Sequence, residues 1–286
     1  MAPATKKVAI VTGAASGMGE ALATHLVSKG WLVGCFDLQR GPGEKLVAEL
    51  GENAVFVEVD VANYDSQARG FEAVFSRWGR IDALLANAGI VDRSSIYILN
   101  YRDSDIIPPA PNLACTDVDY KGVVYGTQLA IHFMRKNPTP GGKIVATASV
   151  AGVYPHESYP EYNGAKAAVI NFIRGVAPVL KLKDNILINS VLPGIVHTKI
   201  IPQAMVDAVS PAHMTPVSTI VEAYEHFLAD DNQETGEAME CSTDKRILVK
   251  QAEYANGDAS KRACTVWEPL FKMLHGENSD LETAIA

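Results

Sequence analysis

Six short β-rich runs, interleaved with stretches of helical spacing, restrict this chain to few architectures. The runs are VAIVT (8–12), WLVGCFD (31–37), AVFVEVD (54–60), IDALLAN (81–87), KIVATAS (143–149) and ILINSVL (186–192). Several are apolar at successive positions, as suits strands buried on both faces. Helix-length segments such as 17–29, 65–78, 117–135 and 162–180 lie between them. The alternation predicts an α/β fold, a single doubly wound parallel sheet with right-handed crossovers and helices on both faces. At 286 residues the chain suits one large domain, or one domain with an elaborated tail.

Two regions break the rhythm. Residues 94–115 contain the run PPAP (108–111) and read as an irregular excursion. After Leu192 the alternation stops. Thr215-Pro216 then predicts a helix start, with Thr215 as the cap, proline at the first helical position, and Val217, Ile220, Val221, Tyr224 and Phe227 at helical spacing. The tail offers another candidate helix with Ala263, Trp267, Leu270, Phe271 and Leu274 on one face, which would pack on the body or on a partner subunit. One domain over 1–286 is expected, with a substrate-loop region at about 199–230 and a C-terminal tail at about 240–286.

The formal net charge of −8 offers no basic stripe and argues against nucleic acid or an anionic membrane as partner. No uninterrupted apolar run approaches membrane-spanning length, and glycine cuts the N-terminal apolar run too short for a signal peptide. Cys35, Cys115, Cys241 and Cys264 are scattered without metal-ligand spacing, so no metal site is expected. They read as thiols of a reducing compartment, which points to the cytoplasm.

Directly after the first run comes TGAASGMG (12–19), opening a helix. Gly13, Gly17 and Gly19 allow a tight turn and a close backbone approach to a pyrophosphate, while the helix start supplies amide donors. With a strand before and a helix after, the segment predicts a dinucleotide site in a Rossmann-type sheet. The second run ends in Asp37, where a carboxylate can accept bonds from an adenosine ribose and would repel a 2′-phosphate. NAD is therefore expected over NADP. Ser16 is not basic and Leu38 follows Asp37, leaving Arg40 as the nearest cation. Asp60, ending the third run, would touch the adenine or serve strand-end turn chemistry.

In YPEYNGAKAAV (159–169), Tyr162 precedes Lys166 by four residues. On a helix the two share a face, and an ammonium beside a phenol favours the phenolate. Alone, the pair suits either a surface contact or a tuned proton carrier.

The motifs together settle the choice. The chain resembles the short-chain dehydrogenase/reductase family over nearly all of 7–239: TGAASGMG matches TGxxxGxG, NAG (87–89) follows the fourth run, Ser149 lies 13 residues before Tyr162, YNGAK matches YxxxK, and PGIVHT (193–198) matches PGxxxT. The resemblance implies Tyr162 as general acid/base, Lys166 as its tuning group and ribose ligand, and Ser149 as holder of the substrate oxygen. It implies cofactor contacts at Ser16, Met18, Val61, Asn87, Ile195 and Thr198 beside the glycines, Asp37 and Asp60. It also implies a homodimer or homotetramer. Within the family, GEAMECSTDKRI and PPAPNL…DVDYKGVVYGTQLA are similar to members that oxidise a secondary alcohol on a bulky apolar molecule, lipid- or polyketide-like.

One position departs from the pattern. Where the family usually carries asparagine in its fourth helix, DYKG places Asp119. In relatives the backbone carbonyl there continues a proton relay from the lysine. An aspartate keeps that carbonyl but adds charge beside Lys166. The alternative is a redox-weakened member acting as a scaffold for another reaction or as an NAD-sensing binding protein. The segment after Thr198, with Ile200, Ile201, Met205, Val206 and Met214, is expected to fold over an apolar substrate or to pack in the core.

Overall fold

The structure is a computed structural model that describes residues 5–198 and 203–286. Strands and helices alternate from the start: β1 Val8–Thr12, α1 Gly17–Ser28, β2 Leu32–Asp37, α2 Arg40–Leu50, β3 Ala54–Glu58, α3 Tyr64–Trp78 and β4 Ala83–Ala86. A short α4, Ala114–Thr116, runs through a wide π-type turn at Asp117–Lys121 into α5, Gly122–Met134. Then follow β5 Gly142–Thr147, α6 Pro160–Asp184, β6 Ile186–Pro193, α7 Gln203–Ala208, α8 Val217–Leu228, β7 Ala238–Ser242, β8 Lys245–Leu248, α9 Gly257–Ala263 and α10 Glu268–His275.

The strands form one sheet in the order β3-β2-β1-β4-β5-β6-β7-β8, parallel except for the last pair. Alternate residues feed opposite layers. Val8 and Ile10 join the core under α3, α5 and α6, with Phe71, Phe133 and Ile173. Ala9 and Val11 join the core under α1, α2 and α8, with Leu22, Leu46 and Phe227. This two-sided burial explains β4, whose ALLA sequence favours a helix locally. Each fully buried Leu contributes about 1.5–3 kcal/mol, more than the roughly 1 kcal/mol span of propensity.

Three features differ from the sequence expectation. β7 and β8 continue the sheet where the alternation was expected to stop. AMECS is largely buried but carries Glu240 and Ser242, and all four residues of β8 are exposed, so neither reads as an apolar run. Thr215 does not cap α8. Its hydroxyl donates to the Cys241 carbonyl and accepts from the Thr243 amide, leaving Pro216 at the cap position. The tail forms two helices instead of one, with Trp267 at the start of α10 bridged to Ile285. Leu270 and Leu274 remain substantially exposed. No helix among the described residues is long and apolar enough to cross a membrane.

The sheet order reverses between β1 and β4. In open α/β sheets a crevice forms at the strand carboxyl ends there. Gly13, Asp37 and Asn87 all stand at those ends.

Candidate active site

A cleft of about 450 Å³ occupies this crevice. Its lining includes Gly13, Ser16, Gly17 and Met18 after β1, Asp37 from β2, Asp60 and Val61 beyond β3, Asn87 after β4, and Thr198. The glycine-rich turn is tightly closed. Gly13 takes φ +67, and a Cβ on Gly19 would lie 2.0 Å from the Gly13 carbonyl oxygen. Thr198 sits over the same turn, its methyl 3.2 Å from where a Gly17 Cβ would be. Gly19→Ala is therefore expected to cost about 1–3 kcal/mol of stability through overpacking and to weaken dinucleotide binding about tenfold or more. Denaturant melts and calorimetric titration check both effects.

Asp37 uses one carboxylate oxygen for the Ala15 amide (2.9 Å) and the other for the Gln39 amide (2.9 Å). These bonds fix the carboxylate at the rim, and each oxygen retains a lone pair. Arg40, the nearest cation in sequence, is committed to Glu58 at 2.8 Å and lies near Glu44 at 3.5 Å. Asp60 lies beyond β3 and accepts the Ala62 amide, so it serves a turn while also lining the cleft. The cradle fits a dinucleotide: glycines where any Cβ would fill the turn, a helix N-terminus, and a fixed acidic rim.

Asn87 is held from several sides. Its amide nitrogen donates to the Thr12 carbonyl (3.1 Å), and its side-chain oxygen accepts from the Thr147 hydroxyl (3.1 Å). Thr147 spends its proton on Asn87, so the Tyr224 hydroxyl, 2.5 Å away, donates to Thr147. Helix α8 thus braces the site from below through Tyr224, whose phenol burial pushes well up from its ordinary value. Ile195 is fixed through its carbonyl, which accepts the Thr215 amide at 2.7 Å. Ile200 and Ile201 lie outside the described residues, as does the side chain of Met205.

Tyr162 and Lys166 lie on α6. Pro160 opens that helix, Asn185 ends it in the left-handed region, and Ala165, Val169, Ile173, Ala177 and Leu180 make a buried stripe. Its first-turn amides are capped from outside the helix. Asp92, in the loop after β4, accepts the Glu161 amide (3.0 Å) and the Tyr162 amide (2.8 Å). Sequence reading missed Asp92 because the cap is supplied from 70 residues away. Asp92, Glu161 and Cys115 cluster within 4.8 Å, and each has other duties. Glu161 accepts the Thr116 amide, and the Cys115 thiol points at the Ile90 carbonyl. Burial, with the charges of Asp119 and Glu161, pushes that thiol well up, so it stays protonated.

The Lys166 ammonium is buried, donates to the Thr147 carbonyl at 2.8 Å, and stands 5.5 Å from the Tyr162 ring centre. Its ion partner is Asp119, at 3.0 Å, with the side chains only 3% and 0% exposed. The other Asp119 oxygen accepts the Ile90 amide at 2.8 Å. Burial lowers the lysine and Asp119 raises it, and the net direction is upward. Burial lifts the Asp119 carboxyl above its usual range, against the pull of Lys166 and the Ile90 amide. Gly89 leaves room beside the pair, since a Cβ there would lie a tight 3.0 Å from the Asp119 oxygen. The carboxylate in the π-type turn thus reaches Lys166 directly.

Ser149 ends the stretch after β5, and its oxygen accepts the Ala151 amide at 3.1 Å, leaving the hydroxyl proton to donate. The turn after it lies hard against α6: a Cβ on Gly152 would be 2.8 Å from the Lys166 carbonyl carbon. Ser149 is thereby brought beside the helix that carries Tyr162 and Lys166.

The chain belongs to the short-chain dehydrogenases, oxidoreductases that act on CH–OH groups; the model of that family matches residues 7–207. A short-chain dehydrogenase/reductase of Penicillium rubens, prx6, is 54% identical over 98% of this chain and 97% of its own. The 15-hydroxyprostaglandin dehydrogenase [NAD(+)] of Mus musculus is 32% identical, over 68% of this chain and 69% of its own. Among solved structures, a 3-ketoacyl-(acyl-carrier-protein) reductase from Brucella melitensis complexed with NADH superposes with a TM-score of 0.72. It covers 82% of this chain and 96% of that one at 23% identity, which speaks to the fold.

Proposed function

We propose that the protein is an NAD-dependent dehydrogenase that interconverts a secondary alcohol and a ketone on a bulky apolar small molecule. The observation that carries this reading is the Lys166 ammonium, held between the Thr147 carbonyl and Asp119 and 5.5 Å from the Tyr162 ring, beside a dinucleotide-sized cleft. Bound in that cleft, the nicotinamide supplies the hydride acceptor. Ser149 donates its hydroxyl proton to the substrate oxygen and fixes its position. Tyr162 takes the alcohol proton, with the Lys166 ammonium beside its ring.

The glycine-rich turn would hold the pyrophosphate and Asp37 the adenosine ribose, with Asn87, Ile195 and Thr198 toward the nicotinamide end. A 2′-phosphate would face the Asp37 carboxylate with Arg40 already paired to Glu58. NAD(H) is therefore expected to bind at least tenfold more tightly than NADP(H), a difference of about 1.4 kcal/mol. Calorimetric titration with both cofactors tests it; equal affinities would contradict the assignment. The relatives named for NAD and for a prostaglandin alcohol support the same cofactor and an apolar substrate. All four cysteines are free, which suits the cytoplasm. The exposed apolar face of α10 suits self-association as a homodimer or homotetramer.

A further inference from the structure

We propose that the excursion between β4 and α4, residues 94–113, is a second wall of the substrate site and selects alcohols whose apolar body extends beyond the cleft. The inference rests on the dehydrogenase reading above. The excursion departs from Val91 and Arg93 and returns toward Val118, all three lining the cleft. Its ends are tied, since Ser94 Oγ accepts the Asn112 amide at 2.9 Å. It is also bonded to the reactive side of the site. The Tyr97 hydroxyl donates to the Glu157 carbonyl at 2.7 Å, and Glu157 lies in the loop joining the Ser149 turn to α6. Asp92, just before the excursion, holds the Tyr162 amide. The segment is thus fastened to the backbone that spaces Ser149 from Tyr162.

Its side chains are unusual for a surface loop. Ile96, Leu99, Ile106, Ile107 and Leu113 are exposed, Ile107 at 88%, and Val153 and Tyr154 on the tethered loop are exposed as well. Apolar surface concentrated beside a site marks a binding surface. A short alcohol would gain nothing from it, whereas a long alkyl chain or a polycyclic body would cover it. The occupant is the substrate body, because the segment is tied through Tyr97 and the neighbouring Asp92 to the backbone that carries the reacting side chains.

Alcohols cannot react with a reduced nicotinamide, so affinity can be read without turnover. Binding of a series from butan-2-ol to decan-2-ol to the NADH-loaded protein is followed by NADH fluorescence. In the parent, affinity is expected to rise about threefold to fourfold per added methylene. Ile106→Ser with Ile107→Ser, both at exposed positions, is expected to flatten the series while leaving butan-2-ol within about twofold. Tyr97→Phe keeps the ring but frees the tether, and should weaken only the longer alcohols. Parallel slopes in parent and variants would overturn the proposal. So would sedimentation showing that the double serine variant dissociates an oligomer with the slope unchanged. A steep parental series flattened in the variants, without reduction of NAD by any alcohol, would support the wall and overturn the dehydrogenase reading instead.

Discussion

Replacing Tyr162 by phenylalanine is expected to lower turnover of a secondary alcohol by about 10² or more, with NAD affinity within about twofold of the parent. The variant loses only the hydroxyl. The ring keeps its edge-on contact with Tyr159, at 6.5 Å, and its place beside the Lys166 ammonium, at 5.5 Å. Helix α6 is held by Asp92 through backbone amides, which the substitution does not touch. A folded, cofactor-binding protein that cannot move the alcohol proton is the predicted phenotype. Steady-state rates together with calorimetric titration of NAD measure it. A variant retaining a tenth of the parental rate would show that Tyr162 is not the base.

The second large effect is expected at Asp119. Asp119→Ala would leave Lys166 buried with the Thr147 carbonyl alone and strip the Ile90 amide of its acceptor. Breaking a buried ion pair from one side costs about 3–5 kcal/mol. A thermal melt should show a fall on the order of 10 °C. Asp119→Asn separates charge from structure, because an amide oxygen can still accept from Ile90. Without the carboxylate, burial dominates at Lys166 and its ammonium is lost more readily, the reverse of the upward displacement it now has. The high-pH limb of the rate–pH profile for alcohol oxidation, where the ammonium is lost, should therefore move to lower pH. An unshifted profile with rates within about tenfold would mean that the backbone carbonyl alone sustains the relay. A large gain in dehydrogenase activity would mean that Asp119 suppresses redox chemistry, as a scaffold or sensing role would require.

What was legible in the sequence was local. Gly13, Gly17 and Gly19 announce their turn because the constraint acts within a few residues, whereas the spacing of Tyr162 and Lys166 shows only a shared helix face and needed the other family motifs to read as more than a surface contact. The sheet was readable from double-sided apolar runs up to β6. What escaped depends on contacts distant in sequence. Asp92 reaches α6 across 70 residues, and Tyr224 braces Thr147 across 77. Asp119 was visible as a departure from the family pattern, but its ion pair with Lys166 needed the π-type turn to bring the carboxylate inward. β7 hid because Glu240 and Ser242 interrupt its buried residues, and β8 because an exposed edge strand needs no apolar alternation. Thr215 looked like a cap by its place before proline, until Cys241 and Thr243 claimed its hydroxyl.

The most direct measurement of the central claim is NADH formation by the purified protein with NAD and a panel of apolar secondary alcohols, followed across pH. NADH should accumulate with at least one long or polycyclic member of the panel. Tight NAD binding without reduction by any member of the panel, at any pH, would contradict the dehydrogenase account and favour a redox-silent scaffold.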